Sequence, residues 1–89
     1  MSERVLLVDD DLNVLQGFKR QLRKRFEVET ALGGRQGLDA VAKDGPFAVV
    51  VSDMQMPDMN GIQFLTEIRQ LAPNSVRMML TGNADQKTA

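Results

Sequence analysis

"RVLLVDDDLNV", residues 4–14, runs an apolar segment straight into three consecutive acids, Asp9, Asp10 and Asp11. The apolar part does not alternate with polar residues, which is the pattern of a strand covered on both faces inside a parallel sheet. "FAVVVS" at 47–52 repeats the pattern and "SVRMML" at 75–80 is a weaker third example. "EVETA" at 27–31 alternates and is more polar, as an edge strand does.

Helical spacing fills the gaps between these runs. Leu12, Leu15, Phe18, Leu22 and Phe26 recur every three or four residues, Leu38, Val41 and Ala42 do so more briefly, and Ile62, Leu65, Ile68 and Leu71 form a third stripe. Strand and helix therefore alternate as βαβαβαβ, the order of an open α/β sheet layered by helices with right-handed crossovers. Asp11 stands where it can cap the first helix, while "DGP" at 44–46 and "APN" at 72–74 end helices ahead of the next strand. The chain has 89 residues, 43% of them hydrophobic, which suits a single domain, residues 1–89, with a small core.

Composition removes several function classes. Neither Cys nor His occurs, which excludes disulfides, thiolate or imidazole metal sites, Ser-His-Asp triads and histidine acid-base catalysis. A formal net charge of −1 gives no global attraction to nucleic acid. The run "KRQLRKR" at 19–25 includes Leu22 of the apolar stripe, so its charges read as the solvated face of a helix. No apolar stretch is long enough to cross a bilayer, and "MSERVLLV" lacks the regions of a signal peptide, so a cytoplasmic location is the expectation. The glycines of "ALGGRQG", 31–37, form neither a dinucleotide-binding nor a P-loop pattern, which leaves a loop entering the second helix.

In open α/β sheets ligands gather at the carboxyl ends of the strands. Those ends carry Asp9 and Asp10, Asp53, and Thr81. Crowded carboxylates repel one another, and a divalent cation allows several to stay ionised together. With oxygen as the donor available, hard ions are favoured, Mg²⁺ or Mn²⁺. Mg²⁺ is commonly shared between carboxylates and a phosphate, which points to phosphoryl chemistry with one Asp as nucleophile.

"LLVDDD", "VVVSDMQMPDMNG" and "MMLTG", spread over residues 6–82, resemble three successive signatures of the receiver domain of two-component response regulators. The resemblance implies a flavodoxin-like parallel sheet in which Asp53 accepts a phosphoryl group from a sensor histidine kinase. It also implies Mg²⁺ (or Mn²⁺) bound directly by Asp10 and mostly through water by Asp9, with Asp53 and the backbone carbonyl of Gln55 as further ligands. Thr81 matches the family's switch hydroxyl, Pro57 and Gly61 its tight loop, and Met56 an apolar anchor of that loop. Gln55 and Asn83, two places beyond Asp53 and Thr81, match positions that influence the lifetime of the acyl phosphate. "RMMLTGNAD" is similar to the corresponding stretch of receivers joined to HD-GYP phosphodiesterases, which would make such a domain the output partner.

The family pattern continues past the fourth strand with a helix, a strand and a helix, and includes a lysine ending the fifth strand that Lys87 does not replace. The expectation is therefore a partial receiver domain, lacking that helix-strand-helix part and its output domain, that forms a homodimer or exchanges elements with a second copy. Two other readings stay open at this point. One is a degenerate receiver serving as an interaction module. The other is a haloacid-dehalogenase-like phosphatase using Asp9 of "DDDLNV" as nucleophile and Asp11 as acid.

Overall fold

A computed structural model describes residues 3–80. Four strands and three helices alternate: β1 Arg4–Asp9, α1 Leu12–Leu22, β2 Glu27–Leu32, α2 Gly34–Asp44, β3 Val49–Asp53, α3 Gly61–Leu71 and β4 Val76–Leu80. The strands form one sheet in the order β2-β1-β3-β4, every pairing parallel. This is the open parallel α/β sheet expected from the alternation of patterns, in the flavodoxin-like form that the family resemblance implies, with β2 at one edge.

β1 lies inside the sheet, and its two faces serve two cores. Leu6 and Val8 join Val50, Phe47, Val41, Met56, Phe64 and Ile68 on the side of α2 and α3. Val5 and Leu7 meet Leu15 on the side of α1, flanked by Phe18, Leu22, Phe26, Val49 and Val51. Burial on both faces is why "VLLV" shows no alternation. Val76 and Met78 of β4 are open to solvent among the described residues.

The helices differ from the expected stripes in three places. α1 stops at Leu22, so Phe26 reaches its core from the turn that follows, and Leu12 at the helix start is exposed. In α2 the inward face is Gly34, Gly37 and Val41, whereas Ala42 is exposed. In α3 the buried pair is Phe64 and Ile68, while Ile62 and Leu71 are 56% and 53% exposed.

Gly37 explains the rotation of α3. A Cβ at Gly37 would lie 2.7 Å from the Phe64 ring and 3.0 Å from a Val8 methyl, so the missing side chain lets that ring reach the sheet. The α3 start is fixed by a reciprocal capping box, with the Asn60 side chain accepting from Gln63 N–H at 2.8 Å and the Gln63 side chain accepting from Asn60 N–H at 3.0 Å.

Candidate phosphoryl-transfer site

The carboxyl ends of β1 and β3 are neighbours because those strands are paired, with Val8 opposite Ser52. Asp9 closes β1, Asp10 follows it, and Asp53 closes β3. One carboxylate oxygen from each of Asp9, Asp10 and Asp53 lies within 4.8 Å of the other two. Asp9 is buried at 7% exposure, Asp53 is half-buried and Asp10 is exposed. The cluster thus grades from the protein interior to solvent.

Burial is the main force on Asp9, pushing its carboxyl from an ordinary 3.8 up to about 6. The Asp11 N–H, which donates to the Asp9 carboxylate at 2.9 Å, pulls the other way. The nearby charges of Asp53 and Asp10 push it further up. Asp11 itself turns away from the cluster: its carboxylate accepts the Asn13 N–H at 2.9 Å and caps α1. Asp11 therefore acts as a cap, and its engagement does not favour an acid role beside an Asp9 nucleophile.

The residues around Asp53 form a tight backbone frame. Gly61, the first residue of α3, donates its N–H to the Met54 carbonyl at 2.8 Å. A Cβ at Gly61 would collide with the Asp53 carbonyl oxygen and lie 3.0 Å from the Met54 Cα. Glycine is needed there because backbone passes directly over it. Met56 is buried in the α2/α3 core, as an anchor of the loop, whereas Gln55 and Pro57 are exposed in that loop. The Leu80 carbonyl accepts the Met54 N–H at 3.2 Å, tying the end of β3 to the end of β4. Thr81 comes next in the chain and, with Asn83 and Lys87, lies outside the described residues.

These groups suit a hard divalent cation. The donors are all oxygen, and ligand oxygens on one octahedral Mg²⁺ are separated by up to about 4.2 Å, close to the spacing of the cluster. After burial, the charges of Asp53 and Asp10 add to the proton affinity of Asp9, and a cation at the cluster would relieve that repulsion. Two features were missed in the sequence: the capping box that starts α3, signalled by "NGIQ" at 60–63, and the buried Ser52 beside Asp53, which carried no signal.

The comparisons agree with this geometry. Response regulator MprA of Mycolicibacterium vanbaalenii is 37% identical over 83 residues, covering 92% of this chain and 36% of that protein. A crystal structure titled as adenylate cyclase from Rhodopirellula baltica superposes with a TM-score of 0.89 at 46% identity, covering 96% of this chain and 63% of that one. The signal receiver domain of an HD domain-containing protein from Pseudomonas fluorescens Pf-5 gives 0.86 at 29% identity, covering 97% and 69%. The chain thus spans about a third of that curated relative's length. With residues 5–89 matching the response regulator receiver domain and the sheet order agreeing, the chain belongs to the response regulator receiver domain family.

Proposed function

We propose that this chain is a phosphoacceptor module of a two-component system, with Asp53 as the residue phosphorylated. The observation that carries the reading is the convergence of the Asp9, Asp10 and Asp53 carboxylates within 4.8 Å at the carboxyl ends of β1 and β3. In the reaction a carboxylate oxygen of Asp53 forms a bond to phosphorus while the bond from phosphorus to the kinase histidine nitrogen breaks, leaving an acyl phosphate and a neutral imidazole. Asp10, Asp53 and the Gln55 carbonyl would hold Mg²⁺ or Mn²⁺ directly, with Asp9 mostly acting through water. The bound ion supplies the positive charge that neutralises the phosphoryl oxygens. Asp9, buried and held by the Asp11 N–H, keeps the rear of the cluster ordered. Thr81 is read as the hydroxyl that turns toward the phosphoryl oxygens.

Treatment with acetyl phosphate and Mg²⁺, followed by mapping of added mass, tests the assignment. A label on Asp53 supports it, a label on Asp9 would favour the phosphatase chemistry, and no label would favour an interaction module. The partners of this reading are a sensor histidine kinase and an output domain, in a cytoplasmic setting. No helix among the described residues is long and apolar enough to cross a membrane. An HD-GYP output is supported by the HD domain-containing protein that carries the Pseudomonas receiver, whereas the Rhodopirellula relative is titled an adenylate cyclase. Exposed Val76 and Met78 on β4 support self-association of this chain, and a monomer in light scattering would refute it.

A further inference from the structure

We propose that Ser52 is a positioning residue for phosphoryl transfer, its hydroxyl holding the Asp53–Met54 peptide in the orientation that aims the Asp53 carboxylate. The proposal rests on the reading of Asp53 as phosphoacceptor. Ser52 is completely buried, at 0% exposure, and its hydroxyl donates to the carbonyl of Asp53 at 2.8 Å. Successive strand residues face opposite sides, so Ser52 sits with Val50 on the side of α2 and α3, away from the Asp53 side chain. Its influence on the chemistry therefore runs through the backbone.

That backbone is held at three points. The Asp53 carbonyl accepts from Ser52 at 2.8 Å, the Met54 N–H is accepted by Leu80 at 3.2 Å, and the Met54 carbonyl accepts from Gly61 at 2.8 Å. Two of these bonds are backbone to backbone, and Ser52 alone supplies a side chain. A valine like Val50 would fill a buried strand position with no hydroxyl to satisfy, so the serine hydroxyl carries a desolvation cost that its bond to Asp53 offsets. The held peptide fixes the backbone torsion adjoining the Asp53 Cα. Because Leu80 immediately precedes Thr81, the same peptide also ties the phosphoacceptor strand to the approach of the switch position. Misplacement of an attacking group by about 1 Å can slow transfer by about 100-fold, so partial release of this peptide is sufficient to register in rate.

Ser75 provides the control. It is also buried, and its hydroxyl donates to the Phe47 carbonyl at 2.5 Å, at the opposite end of the sheet from the carboxylates. Phosphorylation by acetyl phosphate at saturating Mg²⁺ is followed in the full chain and in its Ser52→Ala, Ser52→Thr and Ser75→Ala variants. Ser52→Ala should slow labelling of Asp53 by roughly 10-fold. Ser75→Ala should leave the rate within about twofold of the parent, and Ser52→Thr, which restores the hydroxyl, should recover most of the loss. Amide exchange of Met54 under native conditions should quicken in Ser52→Ala and stay unchanged in Ser75→Ala, a readout that needs no phosphorylation. Should Ser52→Ala fail to fold, Ser52→Cys keeps the size with a weaker donor and should show the same two effects in reduced measure. Equal slowing in Ser52→Ala and Ser75→Ala, or an unchanged rate in Ser52→Ala with the parent chain labelled, overturns the proposal. Absence of label on Asp53 in the parent chain refutes the phosphoacceptor reading itself, and the proposal with it.

Discussion

In metal-free protein, replacing Asp9 with asparagine should make the fold more stable at neutral pH. The Asp9 carboxyl is 7% exposed, and burial, reinforced by the charges of Asp53 and Asp10, raises it from 3.8 to about 6. Between those two values the folded chain binds a proton that the unfolded chain has released. Stability from that proton is therefore complete below about pH 3.8, declines as pH rises, and is gone above about pH 6. At about 1.4 kcal/mol per tenfold change in proton affinity, the full loss is about 3 kcal/mol. Against a typical total of about 5–15 kcal/mol this is a large fraction.

Asp9→Asn removes the charge and keeps an oxygen that can accept the Asp11 N–H, now at 2.9 Å. Urea titrations in EDTA at steps from pH 4 to 8, followed by circular dichroism, compare the two proteins. The variant's advantage should be near zero at pH 4 and grow to about 3 kcal/mol by pH 7. Mg²⁺ should then stabilise the parent preferentially, by about 2.7 kcal/mol at a hundredfold excess over its dissociation constant. A difference that does not vary with pH, or a variant less stable than the parent at pH 7 in EDTA, refutes the reasoning.

Asp53→Asn removes one of the charges acting on Asp9, so the Asp9 carboxyl should titrate below its present value of about 6 in an NMR pH series; an unmoved midpoint would mean that the two groups are not coupled. Gly61→Ala drives a Cβ into the Asp53 carbonyl and should lower stability by about 1–3 kcal/mol in urea, with no loss meaning that the loop yields freely. Asn60→Ala breaks the capping box and should cost about 1 kcal/mol, read as a shift of the urea midpoint at constant slope. Exchanging Gln55 or Asn83 should alter the lifetime of the acyl phosphate and leave Mg²⁺ affinity unchanged, and unaltered lifetimes in both variants would refute their role.

The order of elements was legible because the buried strands β1 and β3 carry unbroken apolar runs, residues 5–8 and 49–51, and each helix carried residues at three- and four-residue spacing. The choice of helical face was less legible. α3 contains overlapping stripes, Ile62-Leu65-Ile68 and Phe64-Ile68, and spacing within the helix satisfies both. What separates them lies elsewhere in the chain: Gly37 of α2 leaves room for the Phe64 ring, and Gly61 must sit beneath the Asp53 carbonyl. Together these long-range contacts turn Ile62 outward.

The site divides in the same way. Asp9, Asp10 and Asp53 could be brought to one edge by topology alone, since parallel strands place their carboxyl ends together. Their inequality could not, because it comes from depth. Asp9 is the last residue of β1, still paired with Leu32 and bonded through its carbonyl to the Gly33 N–H at 2.9 Å, and is buried, while Asp10 one residue later is exposed. A one-residue step across the sheet edge thus separates a buried carboxyl, whose ionisation burial opposes, from a solvent-exposed neighbour. The fold therefore holds a destabilising buried charge that a bound cation can relieve, which makes cation binding a source of stability for the folded state.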